Sequence, residues 1–198
     1  LSQKYNKIKI TETISGEGII LTNNKAKGII IKGINEKDKS QSFLNKEITK
    51  GSLNDFSAGK VMLGGELAYN LNLKIGDKIN IVSSSFLYTP FGSIPKQDSF
   101  IVAGLFNSGF YEFDQNLIYL ELNDSKSIFD REEDNIDLEI FLEDPFLAEK
   151  YKKEIESFNQ NIFISSWSDT NRSFFNALKV ERNVMFIILT LIIIVAAF

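Results

Sequence analysis

The 198-residue chain contains no cysteine, no histidine and only three prolines. Without cysteine there is no disulfide framework, no thiolate nucleophile and no thiolate metal site. That absence is compatible with an oxidising compartment but does not demand one. Without histidine, Ser-His-Asp and Cys-His chemistry, most zinc sites and imidazole general bases are excluded. An enzyme built from this chain would have to work with carboxylates, lysine, tyrosine or serine alone. The net charge of −4 and pI near 5.1 argue against a nucleic-acid surface. The phosphate-binding patterns G-x-x-x-x-G-K-[ST] and G-x-G-x-x-G are also missing. Gly64-Gly65 precede a helical stretch, but close strand–helix packing accounts for two glycines there. No cofactor or metal site is expected, and no internal repeat is seen.

What is present is a globular composition, 43% hydrophobic with 17 phenylalanines, long enough for one large domain or two small ones. Two of the three prolines, Pro90 and Pro95, bracket Phe91-Gly92-Ser93-Ile94. They lie within Leu87–Asp98, between two strand-like runs, Lys78–Ser83 and Ser99–Leu105. Proline fixes φ and removes a donor, so the stretch reads as a long, braced hairpin connection rather than an ordinary strand pair. Connections of that length tend to be functional or disordered, and two prolines argue against disorder. Two readings stay open here. Phe91 and Ile94 either fold back to cover the sheet, or form a preformed hook that offers apolar surface to a partner.

Along the chain, Tyr5–Leu21 reads as strand or short helix broken at Gly16-Glu17-Gly18, and Gly28–Gly33 as a buried strand. Asn35–Ser42 is turn-like, and Phe43–Phe56 reads as a short helix or loop. Val61-Met62-Leu63 leads into a helix over Glu66–Leu71, and Leu73–Asp77 turns into the Lys78 strand. Phe110–Asp114 alternates aromatic and acidic residues, the signature of a half-exposed strand. Glu112 and Asp114 within it are a conceivable carboxylate pair. Leu117–Leu122 is another strand. Asp130–Asp134 lacks calcium-loop spacing and reads as a solvated turn. Ile136–Leu142 alternates as a strand. Asp144-Pro145 supplies an N-cap and an N1 proline for a helix over Phe146–Ser157, and Asn161–Ser165 reads as the returning strand of a β-α-β unit. Gly28–Gly33 is expected to share a sheet with Ile136–Leu142 and Asn161–Ser165, while Val61–Leu122 forms a β-rich module of its own.

The last stretch, Val184–Phe198, is uncharged and apolar all round. Its length alone would suit a buried core helix. A surface helix is not apolar on every side, however, and this one continues a helix beginning at Asp169. It reads as the first part of a transmembrane helix cut short. Lys179 and Arg182 precede it with Glu181 between, which sets orientation only weakly and toward the wrong side for a periplasmic domain. Leu1-Ser2-Gln3-Lys4 is no signal peptide and reads as mid-protein.

Three segments resemble one family. Val61–Leu71 followed by Leu73–Asp77 resembles the hydrophobic-Gly-x-x-Leu-Ala…Leu…Gly-Asp fingerprint of the periplasmic core of MacB-like and FtsX-like permeases. Thr89-Pro90-Phe91-Gly92-Ser93-Ile94-Pro95-Lys96-Gln97 resembles the hook of the lipoprotein-releasing LolC/LolE permeases, in its LolC form. Trp167 and Phe174–Met185, with the apolar continuation, resemble that family's approach to its second transmembrane helix. The first fingerprint is shared by many permeases; the Thr-Pro-x-Gly-x-x-Pro hook discriminates.

The resemblance implies an α+β fold in which a discontinuous Porter part, residues 1–57 and 125–168, receives a β-rich Sabre-like insertion at 58–124 carrying the hook at 87–98. Residues 169–198 would be a linker helix running into the membrane. It further implies a non-enzymatic permease subunit in the bacterial inner membrane, working with a separate ATPase subunit and a second permease on lipoprotein substrates. The hook would recruit the periplasmic carrier LolA through Thr89, Pro90, Phe91, Gly92, Ser93, Ile94 and Pro95, with Gln97 as a polar contact. The chain departs from the pattern near Asn80, where the family has a basic residue. An efflux permease that contacts an adaptor, and a carboxylate-based enzyme ectodomain, are the alternatives.

Overall fold

The computed structural model describes residues 8–22, 25–35, 47–131, 135–158 and 162–197. Most of the expected Asn35–Ser42 turn, the first residues of Phe43–Phe56, Glu132–Asp134 and the ends at Tyr5 and Phe198 lie outside them. The chain divides into two compact units, one of Ile10–Ile140 and one of Leu1–Lys9 with Phe141–Phe198.

Alternating or wholly apolar runs make the strands of one mixed sheet. They are β1 (Ile8–Leu21), β2 (Ala26–Ile34), β3 (Ile48–Gly51), β4 (Lys60–Gly64), β5 (Lys78–Thr89), β6 (Gly92–Phe106), β7 (Leu117–Glu121) and β8 (Asp137–Leu142). Helices α1 (Gly65–Leu71), α2 (Tyr111–Asp114) and α3 (Leu122–Phe129) interrupt them. β1 pairs with β2 and β5, β5 with β6, β6 with β4, β4 with β7, and β7 with β2. That order closes on itself into a ring. The β2–β7 and β4–β6 pairs are parallel and the rest antiparallel. Closure removes sheet edges, the physical reason that β1 and β2 complete the middle strands. The expectation that Val61–Leu122 forms a module by itself is corrected accordingly.

Alternate residues fill the interior: Ile29 and Ile31, Val61 and Leu63, Ile79 and Ile81, Phe100 and Val102, Ile118 and Leu120. A second cluster of Met62, Ala103, Phe106 and Tyr119 with Ile34 and Phe56 covers the other face of the same strands, which is why β4 and β7 read as unbroken apolar runs. Gly16 and Gly18 do not break β1. A Cβ at Gly16 would lie 2.5 Å from the Phe129 ring, and one at Gly18 2.8 Å from the Val82 carbonyl, so both admit close neighbours within a continuous strand. Gly64 has the same role where β4 meets α1: a Cβ there would lie 2.0 Å from the Asp114 carbonyl.

Two further expectations are corrected. Tyr111–Asp114 is a helical turn, not a strand. Buried Asp114 accepts a hydrogen bond from the Ser108 amide at 2.8 Å, and this fixes the loop against the strand reading. Residues 162–165 form no strand, so the β-α-β reading loses its second strand; β2 and β8 do share the sheet, through β1.

The second unit holds α4 (Ala148–Phe158), α5 (Trp167–Thr170) and α6 (Arg172–Ala197). Asp144 accepts from the Phe146 amide with Pro145 at the first position, so the expected start is met, through one 3-10 turn. Ser166 and Asp169 form a capping box on α5. Lys152 on α4 reaches Asp169 at 2.5 Å, and the Trp167 indole donates to the Pro145 carbonyl at 2.8 Å. That lysine, with the Ser166 amide and hydroxyl, holds the Asp169 carboxyl far below the usual range; the same hydrogen bond raises Lys152. Trp167 stacks edge-on with Phe146 and Phe175, tying the start of α6 to the unit. α6 is long and apolar enough to cross a membrane, and 0% of its apolar window is buried.

Candidate functional site

The stretch singled out by its prolines is the end of a two-stranded ribbon. The β5–β6 ladder runs on through Phe86↔Pro95, Leu87↔Ile94, Tyr88↔Ser93 and Thr89↔Gly92. A long loop is therefore replaced by a two-residue turn, Pro90-Phe91. Pro90 presets φ at the first corner, and Gly92 takes a φ of +128 that favours glycine. The Thr89 hydroxyl donates to the Gly92 carbonyl at 2.7 Å and accepts from the Phe91 amide at 3.3 Å. Pro95 can sit in a strand because this part of β6 pairs only with β5 among the described residues; an edge strand can do without one N–H.

The ribbon stands in solvent. Phe91 is 100% exposed, Tyr88 88% and Ile94 54%, which decides against the reading in which Phe91 and Ile94 cover the sheet. Directly opposed residues share a face, so Phe86, Tyr88, Ser93 and Pro95 lie on one side and Leu87, Thr89, Gly92 and Ile94 on the other. Both faces are apolar, with Phe91 at the apex. Gln97 is exposed opposite Val82, below the ribbon, and Asn80 accepts a hydrogen bond from the Ser99 hydroxyl at 2.6 Å. The hook bounds of 87–98 take in Leu87 and Tyr88 of this ribbon but stop short of Phe86, which lies on the same face as Tyr88. The alternation of Phe86, Leu87 and Tyr88 against Ile94 and Pro95 was the available signal.

The root of the ribbon is bulged. Between the pairs Val82↔Gln97 and Phe86↔Pro95, Ser83-Ser84-Ser85 face only Lys96. Here the ribbon meets the C-terminus of α3. Ser83 donates to the Ile128 carbonyl at 2.6 Å and Ser85 to that of Phe129 at 2.8 Å. Lys96 donates to the Ser127 carbonyl at 3.0 Å and pairs with Asp130 at 2.5 Å. A helix end leaves four carbonyls without intrahelical partners, and a cation there also favours the dipole. The Asp130 and Arg131 amides reach the Ser127 and Lys126 carbonyls, so all four are met. The candidate carboxylate pair does not make a catalytic site: Asp114 is buried holding its loop, while Glu112 is exposed.

No protein-family model matches the chain. It is 30% identical over 191 residues to the lipoprotein-releasing system transmembrane protein LolC of Neisseria meningitidis serogroup B, covering 93% of this chain and 46% of that protein. The LolC proteins of two Xylella fastidiosa strains, 9a5c and Temecula1, are 29% and 31% identical, with 90% and 79% of this chain matched to 44% and 38% of theirs. Among solved structures, the extracellular domain of a noncanonic ABC-type transporter, YknZ from Gram-positive bacteria, superposes with a TM-score of 0.45 at 16% identity, covering 72% of this chain and 68% of that one. The chain spans just under half the length of the curated relatives it matches. Over most of its own length the chain is thus similar to the LolC lipoprotein-releasing system transmembrane proteins.

Proposed function

We propose that this chain is the periplasmic portion of an inner-membrane permease subunit in an ABC lipoprotein-releasing complex, with α6 leading into the bilayer. ATP hydrolysis then belongs to a separate subunit, and a second permease completes the membrane part. The β5–β6 ribbon is the docking element for the soluble lipoprotein carrier LolA, engaged through Thr89–Pro95 with Gln97 as a polar contact beside it. The observation that carries this reading is the wholly exposed Phe91 at the apex of a ribbon with apolar residues on both faces. Exposed apolar clusters of this kind mark partner surfaces, and a preformed turn loses little entropy on binding. The Sabre-like part would then take in β1 and β2 as well as residues 58–124, since these strands close one ring.

The test is titration of purified LolA onto the chain in detergent, followed by calorimetry. Saturable binding that is lost when Thr89–Pro95 is replaced by a Gly-Ser turn is the expected result. No binding to the carrier, together with binding to an efflux adaptor, would instead support a MacB-like efflux permease.

A further inference from the structure

The angle of the ribbon is set at its root. We infer that Ser83, Ser85 and Lys96 are positioning residues, which lock the ribbon onto the C-terminus of α3 and aim its apex. This deepens the docking role proposed above and rests on it. Above the bulge the ribbon has no strand beside it among the described residues: β1 pairs with β5 only over Asn80–Ser83, and β4 and β3 join β6 only from Ile101 onward. An isolated two-stranded ribbon bends and twists freely, most of all at a bulge. At this bulge three side chains from two strands grip three successive helix carbonyls, those of Ser127, Ile128 and Phe129. Ser83 also accepts from the Ser85 amide at 3.2 Å, closing the grip on itself. Asp130, in the left-handed conformation that ends the helix, holds the Lys96 ammonium from the other side. These contacts leave the apex and both apolar faces free while fixing their direction.

The chain has no cysteine, so Ser93→Cys at the ribbon and Asn70→Cys on α1 supply the only thiols for a pair of nitroxide labels. Pulsed electron resonance on this pair should give one narrow distance distribution. Adding Ser85→Ala and Lys96→Met should broaden it roughly twofold, because the bulge is freed to flex. In the unlabelled background the same two changes should weaken LolA binding roughly three- to tenfold through the cost of re-ordering, although no apex residue is altered. Lys96→Arg should restore both. Asp130→Asn, at an exposed position, serves where the double variant fails to fold, and should itself broaden the distribution. An unchanged distribution in whichever of these variants folds overturns the inference. The distance measurement needs no carrier: a parent chain that ignores LolA ends the docking role and leaves this result standing.

Discussion

Replacing Phe91 by alanine should separate stability from binding. The side chain is 100% exposed and occupies a turn that Pro90, Gly92 and the Thr89 hydroxyl already define. Its removal opens no cavity and breaks no hydrogen bond, because only the Phe91 amide is engaged in the turn. The stability change should stay within about 0.5 kcal/mol, as for other surface substitutions. Phe106, 1% exposed and edge-on to Tyr119 at 5.2 Å, is the contrasting case. Phe106→Ala should cost about 3–5 kcal/mol. In a complex the balance reverses. An aromatic anchor entering a pocket is a typical hot spot, and truncating one costs about 2–4 kcal/mol, or about thirty-fold in affinity at the lower end. The assay is calorimetric titration of LolA onto both proteins, with thermal melts alongside. Should Phe91→Ala lower the melting temperature as Phe106→Ala does while affinity stays at the parent value, Phe91 is a packing residue and the reasoning fails.

Gln97→Ala should weaken LolA binding by about 1 kcal/mol, the net loss of one hydrogen bond, in the same titration. A chain ending at Lys179 should be soluble and monodisperse by light scattering, since none of the apolar window of α6 is buried; unfolding on truncation would make that segment core. Gly64→Ala should destabilise by about 3 kcal/mol in urea melts because its Cβ meets backbone. Gly28→Ala, with open space around it, should be neutral within about 0.5 kcal/mol. Asp169 is depressed below its ordinary 3.8, so its contribution to holding α4 and α5 together is complete above that value and is lost as pH falls through the lowered one. The fluorescence of Trp167, the sole tryptophan, should thus keep its folded value at pH 4, and Lys152→Met should move the acid transition upward.

Where local rules act alone, the sequence was readable. Gly28–Gly33 is a strand, Glu66–Leu71 falls in a helix, and Asp144-Pro145 starts one, because apolar spacing and capping chemistry are carried by neighbouring residues. The bracing of the turn was legible from two prolines in a chain that has three, whereas the exposure of its apex was settled only by the fold. The extent of the ladder was not legible, since Pro95 in a strand is acceptable only where no second neighbour needs its N–H, a fact of topology. Phe110–Asp114 misled for a related reason. Its alternation is real, but Asp114 is drawn inward to the Ser108 amide, and a tertiary contact overrides a period of two. The grip of Ser83, Ser85 and Lys96 on α3 was hidden because its two sides lie 31 or more positions apart.

Closure of the ring also dictates a timetable for folding. Ile30 on β2 pairs with Leu117 on β7, and the two run parallel, so this seam waits until nearly the whole unit has been made. Such long-range pairing is slow, because loop-closure entropy is lost before any contact compensates it. Until then the edges of β2 and β4, rich in isoleucine, valine and leucine, stand unpaired in a nascent chain. A chaperone that shields extended apolar segments would find its best substrate in the interval between synthesis of β2 and arrival of β7.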